Sequence, residues 1–314
     1  MKNKVHYRGR GPQVGIYFKK LLRMCVYQND WKVLPMAALI AGLVTFVIGR
    51  NLFKTQEGTL TGCFALVCVC IWNGYFNSIQ VVCRERPIIK REHRAGMHIT
   101  SYIAAHMLYQ AILCVLQTGI MIGILRLAQV SFPKAGLITG SFIIDFGISM
   151  FLATYASDMM ALAVSSVVHT TTTAMTVMPF LLIFQLVFSG GIFALQGIGQ
   201  KLTNLTIAKW GLKNLCALGN YNSLPMVTLW NTMQKFQSME LEGGIRPVEM
   251  LTEYITENNL KEQVMLEAGQ YNMNAAYEFS SSNILTCWGV MLLIIVIFAV
   301  LSVVFLEFID RDKR

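Results

Sequence analysis

Long charge-free apolar runs are the feature that most restricts what this chain can become. A bilayer-spanning helix needs about 20 predominantly apolar residues. Runs of that order lie at 33–49, 59–83, 99–125, 170–188 and 279–306, and another at 135–166 contains two acids, Asp145 and Asp158. A soluble core has no use for so many. Hydrophobic residues make up 54% of the 314 and charged residues 14%, and mean hydropathy is +0.51, all of which points away from the soluble classes. The expected fold is an all-α integral membrane protein with six transmembrane helices.

The formal net charge of +9 is dispersed. Eight of the 26 Lys and Arg lie in residues 1–32, five between Arg84 and Arg94, and three at Arg311, Lys313 and Arg314. These 16 stand at the borders of the apolar runs. Basic residues flanking spans collect on the cytoplasmic side, and an even number of spans puts both termini together. Both termini are therefore expected in the cytoplasm, in a multi-pass protein of the plasma membrane with the lipid bilayer as a partner. No soluble basic domain exists to carry nucleic acid, and none is expected. Over roughly 200–280 eight acids outnumber six bases, as suits a long translocated segment that escapes the charge rule.

This gives a domain plan. Residues 1–32 form a cytoplasmic N-terminus with an interfacial amphipathic helix, in which Val14, Tyr17, Phe18, Leu21, Leu22 and Cys25 share helical spacing and Lys19, Lys20 and Arg23 take other faces. Spans one to five occupy 33–199, with a short cytoplasmic helix at 87–96; an external segment covers 200–278, span six 279–306 and a cytoplasmic tail 307–314. Of the eight cysteines, Cys63, Cys68, Cys70, Cys83 and Cys114 read as small buried hydrophobes, and a Cys216–Cys287 bridge stays open. Asn204-Leu205-Thr206 fits a glycosylation sequon, a pattern too short to carry weight.

The chain contains neither a GxxxxGK[ST] phosphate loop nor HExxH; the nearest text, GIGQKLT at 197–203, has the wrong spacing. No catalytic residue, metal site or resident cofactor is expected. The most informative stretch is RERPIIKREHRAGMHITSY, residues 84–102. Proline favours a first helical turn and glycine the position past the last, so Pro87 and Gly96 bracket a helix over 88–95 that presents Lys90, Arg91, Glu92 and Arg94. It is either a solvated loop obeying the charge rule or a docking helix for a soluble partner. Asn73, Asn77, Gln80 and Arg84, spaced by four, three and four, form one polar stripe. In lipid such a stripe must face protein or water, so it is interhelical packing or a cavity wall. Asp145 and Asp158 fall on roughly opposite helix faces, which favours two separate structural contacts over a proton relay.

With these motifs in place, nearly the whole chain resembles the membrane domain of the G, or white, subfamily of ABC exporters and, more broadly, the type-2 ABC export permeases. The resemblance rests on the amphipathic helix before span one, the ERxxxxxEHRAG block, MMALAVSS at 159–166, TTTTAMTVMPFLLIFQLVFSGGIF at 170–193 and NYNSLPMVTLWN at 220–231. It implies a transmembrane subunit that is not itself an enzyme. ATP and Mg would be held by a partner ABC ATPase, and a second permease chain would complete a homo- or heterodimer. Glu85, Arg86, Lys90, Arg91 and Glu92 would couple to the ATPase. The substrate cavity would be walled by Asn73, Asn77 and Gln80 of span two and by Pro179, Ile183 and Leu186 of span five, with Gly191 and Ile192 as the constriction. Family members with a fused ATPase carry it ahead of the membrane domain, so it is expected here as a separate subunit or outside this sequence. The implied function is outward movement of an amphipathic organic, lipid or peptide substrate by alternating access. The alternatives are a permease for a polysaccharide or lipid-linked glycan and an ATP-independent receptor or assembly protein.

Overall fold

The computed structural model describes residues 9–27, 30–49, 51–191, 197–240 and 246–308. Among them the fold is all-helical, with no strand. In chain order the helices are α1 (Arg10–Tyr27), α2 (Val33–Ile48), α3 (Gln56–Ser78), α4 (Val81–Arg94), α5 (Ile99–Leu127), α6 (Phe142–Val167), α7 (Thr171–Val187), α8 (Ile198–Thr203), α9 (Ile207–Leu218), α10 (Val227–Lys235), α11 (Pro247–Glu257), α12 (Lys261–Tyr271) and α13 (Ser281–Glu307). Among the described residues four stretches are long and apolar enough to cross a membrane: the combined α3–α4 stretch, α5, α6 and α13. Helices α2 and α7 are apolar but have 16 and 17 residues, short of the usual span length.

The bundle is organised around α6, which packs on α3, α5, α9 and α13. Small residues permit the tightest crossing. Cys70, Gly74 and Ser78 on α3 face Ala153, Ser157 and Ala161 on α6, every one of them buried. Each set repeats every four residues, so the helix backbones approach closely where no hydrophobic effect draws helices together. A Cβ on Gly74 would collide with the Thr154 carbonyl oxygen and lie 2.7 Å from the Asp158 nitrogen. At one end of the bundle Phe53, Phe132, Phe142 and Phe146 form an aromatic cluster with ring centroids 5.2–6.2 Å apart. It holds Phe53 at φ 60°, a conformation costly for a bulky residue.

The expected boundaries change in three places. Residues 59–83 are not one span followed by a separate helix at 88–95. The chain breaks only at Ile79–Gln80 and continues as α4 through Pro87 to Arg94. The restart at Val81 is made possible from outside: Ser165 Oγ of α6 accepts the Val82 and Cys83 amides at 3.1 and 3.2 Å, capping two first-turn donors. Secondly, α6 begins at Phe142, because Asp145 folds the preceding loop onto itself. Its carboxylate accepts the Ile138 and Thr139 amides at 2.9 and 3.1 Å and the Thr139 hydroxyl at 2.8 Å. Asp158 lies elsewhere, fully buried inside the bundle. Thirdly, the segment expected to be external begins with a helix packed into the bundle: Ile207, Ala208, Gly211, Leu212 and Leu215 of α9 are buried against α3, α6 and α13. All eight cysteines are free thiols, so Cys216 and Cys287 are not bridged.

Candidate functional site

Two faces of α4 have different tasks. The inner face is anchored three times. Glu85 is buried and accepts the Tyr102 hydroxyl of α5 at 3.1 Å. Arg86 Nη1 donates to the Ser166 and Val168 carbonyls at 3.0 Å, capping the end of α6, where a cation also suits the helix dipole. Glu92 accepts the Tyr17 hydroxyl at 3.0 Å and the Lys20 ammonium at 3.4 Å, tying α4 to α1. Burial first, then the Glu92 hydrogen bond and charge, raise the Tyr17 phenol above its ordinary range. Lys90 is half-buried.

The outer face consists of Pro87, Ile88, Arg91 and Arg94, all exposed and at helical spacing, while Arg84, also exposed, borders a cavity between α1 and α5. Of the five expected coupling residues, therefore, only Arg91 points fully outward. The sequence reading presents Lys90, Arg91, Glu92 and Arg94 together; Arg91 and Arg94 are exposed, and Lys90 and Glu92 are half-buried. Nothing in the sequence announced Tyr17, Tyr102 or Ser165 as the inward anchors.

Gly96 ends α4 with φ 103°, which glycine adopts without strain. The Met97 amide reaches the Glu92 carbonyl and the Gly96 amide the His93 carbonyl, each at 3.0 Å, the paired closure of a Schellman turn. Gln13 of α1 then clamps the corner, donating to the Gly96 carbonyl at 3.2 Å and accepting the His98 amide at 2.9 Å. Helices α1, α4 and α5 thus meet in one hydrogen-bonded junction.

The polar stripe divides between two hollows. Asn73, 6% exposed, lines an apolar pocket of about 340 Å³ between α2 and α3, with Met36, Ile40, Trp72 and Phe76. Asn77, 8% exposed, turns toward α5, where its amide and that of Gln117 exchange two hydrogen bonds of 2.9 and 3.0 Å. Asn77, Gln80, Arg84 and Glu85 also border a second cavity of about 270 Å³. On α7, Pro179 and Ile183 are exposed and Leu186 is half-buried; none of the three lines either hollow, although Met175 of the same helix reaches the second.

The FSGG turn is pinned to α9. Gly190 has φ 73°, and Ser189 Oγ accepts the Gly191 amide at 3.3 Å. Thr206 Oγ donates to the Phe188 carbonyl at 3.0 Å, and Gln185 accepts the Ala208 amide at 3.2 Å. A Cβ on Gly191 would meet Leu212 of α9 and lie 3.5 Å from Phe64 of α3. Ile192, the other expected constriction residue, lies outside the described residues. Among the described residues no group of three or more His, Cys, Asp or Glu is placed to hold a metal ion.

A bundle of apolar helices, with one charged helix anchored beneath them, is the build of a multi-pass membrane transport subunit. Residues 13–217 match the ABC-2 type transporter family, and the chain belongs to that family. A relative in Mycobacterium tuberculosis (strain ATCC 25618 / H37Rv), the ABC transporter ATP-binding/permease protein Rv1747, is 24% identical over 143 residues. That region is 45% of this chain and 16% of the relative, so the chain spans a small part of the protein it matches.

Proposed function

We propose that this chain is the permease of an ATP-driven exporter, with six spans that include the short helices α2 and α7 and with both termini in the cytoplasm. One observation carries the reading: α4 continues from a membrane helix, is locked by its inner face to α1, α5 and α6, and leaves Pro87, Ile88, Arg91 and Arg94 outward. A helix so held passes a push on its outer face to the helices it is bonded to, which is what a docking surface for a separate ABC ATPase needs. Trp72, Phe76, Phe180 and Ile183, exposed on α3 and α7, supply an apolar face for a second permease chain, and the substrate path would run between the two. Such a path suits an amphipathic organic, lipid or peptide substrate.

The test is co-reconstitution with the ATPase retained on purification. Ile88→Asp combined with Arg91→Glu should lower substrate efflux about tenfold while the permease melts as the parent does. Unchanged efflux would refute the docking assignment, and failure to retain any ATPase would refute the exporter reading.

A further inference from the structure

The charges of the segment between α7 and α13 are sorted by place. No acid occurs between Asp158 and Glu240, so the segment's acids all lie at Glu240 or beyond, while Lys201, Lys209 and Lys213 stand close together near its start. Basic residues are scarce on the outer side of a membrane. Three within so short a stretch, with no acid among them, call for an anion.

The bundle fixes the level of this patch. The Thr206 hydroxyl donates to the Phe188 carbonyl at 3.0 Å, which sets 198–213 beside the last turn of α7. The other end of α7 follows Val168, whose carbonyl is held by Arg86 of α4. The patch therefore lies at the membrane face opposite α4, where lipid headgroups border the apolar surface of the spans.

Its chemistry follows from a few side chains. Gln200, Lys201, Asn204 and Lys209 line an open hollow of about 550 Å³ with Gly197 and Ile198. Lys209 Nζ donates to Asn204 Oδ1. An ammonium can only donate, so this bond turns the Asn204 NH₂ group away from Lys209, as a donor to a guest. Lys213 adds a third charge: the Nζ atoms of Lys209 and Lys213 lie 5.6 and 5.4 Å from the Trp210 ring centroid. Burial first, then the Lys213 charge, hold the Lys209 ammonium below its ordinary range. Among the described residues no carboxylate forms an ion pair with any of the three lysines.

Beside the hollow the surface is apolar. Ile198 and Leu205 are 79% and 72% exposed, and Leu202 between them is exposed as well. Trp210, whose Nε1 donates to the Asn204 carbonyl at 2.9 Å, is a residue type that collects at membrane borders. A free phosphate matches the lysines but leaves the apolar side chains uncovered. A second copy of the chain meeting this face across a two-fold axis would set lysines against lysines. A phospholipid covers both parts.

We propose that the hollow binds the headgroup of an anionic phospholipid, of the phosphatidylglycerol class. The phosphate sits against Lys201, Lys209 and the Asn204 amide, and an acyl chain lies over Ile198, Leu202 and Leu205. None of these residues belongs to α3 or α7. The site does not depend on the export reading, because binding is measured without ATP or transport.

The experiment uses the full chain in phosphatidylcholine nanodiscs with photoactivatable phosphatidylglycerol as probe. Labelling should be saturable and map to 197–213. A lysine at an anionic surface is worth about fivefold, so with two on the hollow unlabelled phosphatidylglycerol should compete about twentyfold better than phosphatidylcholine. Lys201→Gln with Lys209→Gln should erase that preference in a protein that melts as the parent does. Lys201→Arg with Lys209→Arg keeps the charge and should keep the preference. Glycerophosphoglycerol, the same headgroup without acyl chains, should compete at least about tenfold less well than the lipid, having lost the apolar contact. Equal competition by phosphatidylcholine, a preference that survives the glutamine pair or is lost in the arginine pair, equal competition by the chainless headgroup, or a chain-to-chain cross-link through Lys209 in place of lipid labelling would each overturn the proposal.

Discussion

Replacing Gly74 by alanine tests the helix crossing on which the bundle depends. The added methyl would collide with the Thr154 carbonyl oxygen and lie 2.7 Å from the Asp158 nitrogen and 2.8 Å from Ser157 Cβ. Ordinary carbon contacts are about 3.5 Å, so α3 must retreat by about 0.7 Å or more, because two of the three obstacles are backbone atoms that cannot rotate away. Overpacking of this kind costs about 1–3 kcal/mol, and a radial gap of that size forfeits a quarter to a half of each neighbouring contact. The upper end, about 3 kcal/mol, applies here. Helix propensity returns about 1 kcal/mol, leaving a net loss of about 2 kcal/mol. At roughly 2–4 °C per kcal/mol this lowers the melting temperature by ~4–8 °C. Tryptophan fluorescence of the purified protein in detergent reads the melt, with Gly289→Ala as control, since a Cβ there meets nothing within 4 Å. Equal melting of the two variants would refute the close crossing.

Three further outcomes are expected. Ser165→Ala removes the acceptor for the Val82 and Cys83 amides; at about 1 kcal/mol for a lost cap, hydrogen exchange at those amides should accelerate about fivefold, and unchanged protection would argue that α4 starts without it. A double-mutant cycle on Asn77→Ala and Gln117→Ala should give a coupling of about 0.6 to 1.7 kcal/mol, as measured for interhelical pairs in membranes, whereas simple additivity would show that the two amides do not pair. Because the folded-state pKa of Tyr17 is raised, its contribution is complete below the ordinary value of 10.0 and is lost as pH climbs above it. Thermal melts of Tyr17→Phe should therefore fall less steeply on the alkaline side than the parent, and identical alkaline limbs would contradict the Tyr17–Glu92 contact.

Apolar period and length sufficed for the helices that lipid or protein buries without special partners. Residues 170–188 became Thr171–Val187 and 279–306 became Ser281–Glu307, each within two residues. Where a boundary depends on a distant side chain, local reading failed. Pro87 looked like a helix start, yet α4 begins at Val81 because Ser165, more than eighty residues later, receives its amides. Asp145 read as an acid inside a span and proved to cap the loop before it. The stripe from Asn73 to Arg84 was legible as a stripe, but the break at Ile79–Gln80 and the pairing of Asn77 with Gln117 split it between two hollows.

Helix α4 can also be considered as a load path. At 14 residues and ~1.5 Å each it is a bar about 21 Å long, hinged where α3 stops at Ser78. Force applied at Arg91 is delivered first to α1, through Glu92 one residue away. Nearer the hinge it passes through Arg86 to the corner where α6 turns into α7, and through Glu85 to α5. The far end of the bar, which runs on through Gly96 into α5 and is clamped there by Gln13, therefore moves α1 and the start of α5 through the larger arc, while the corner of α6 and α7 receives a smaller displacement at greater force. A single push is thereby divided into a wide swing at the bundle's edge and a short, strong shift at its centre.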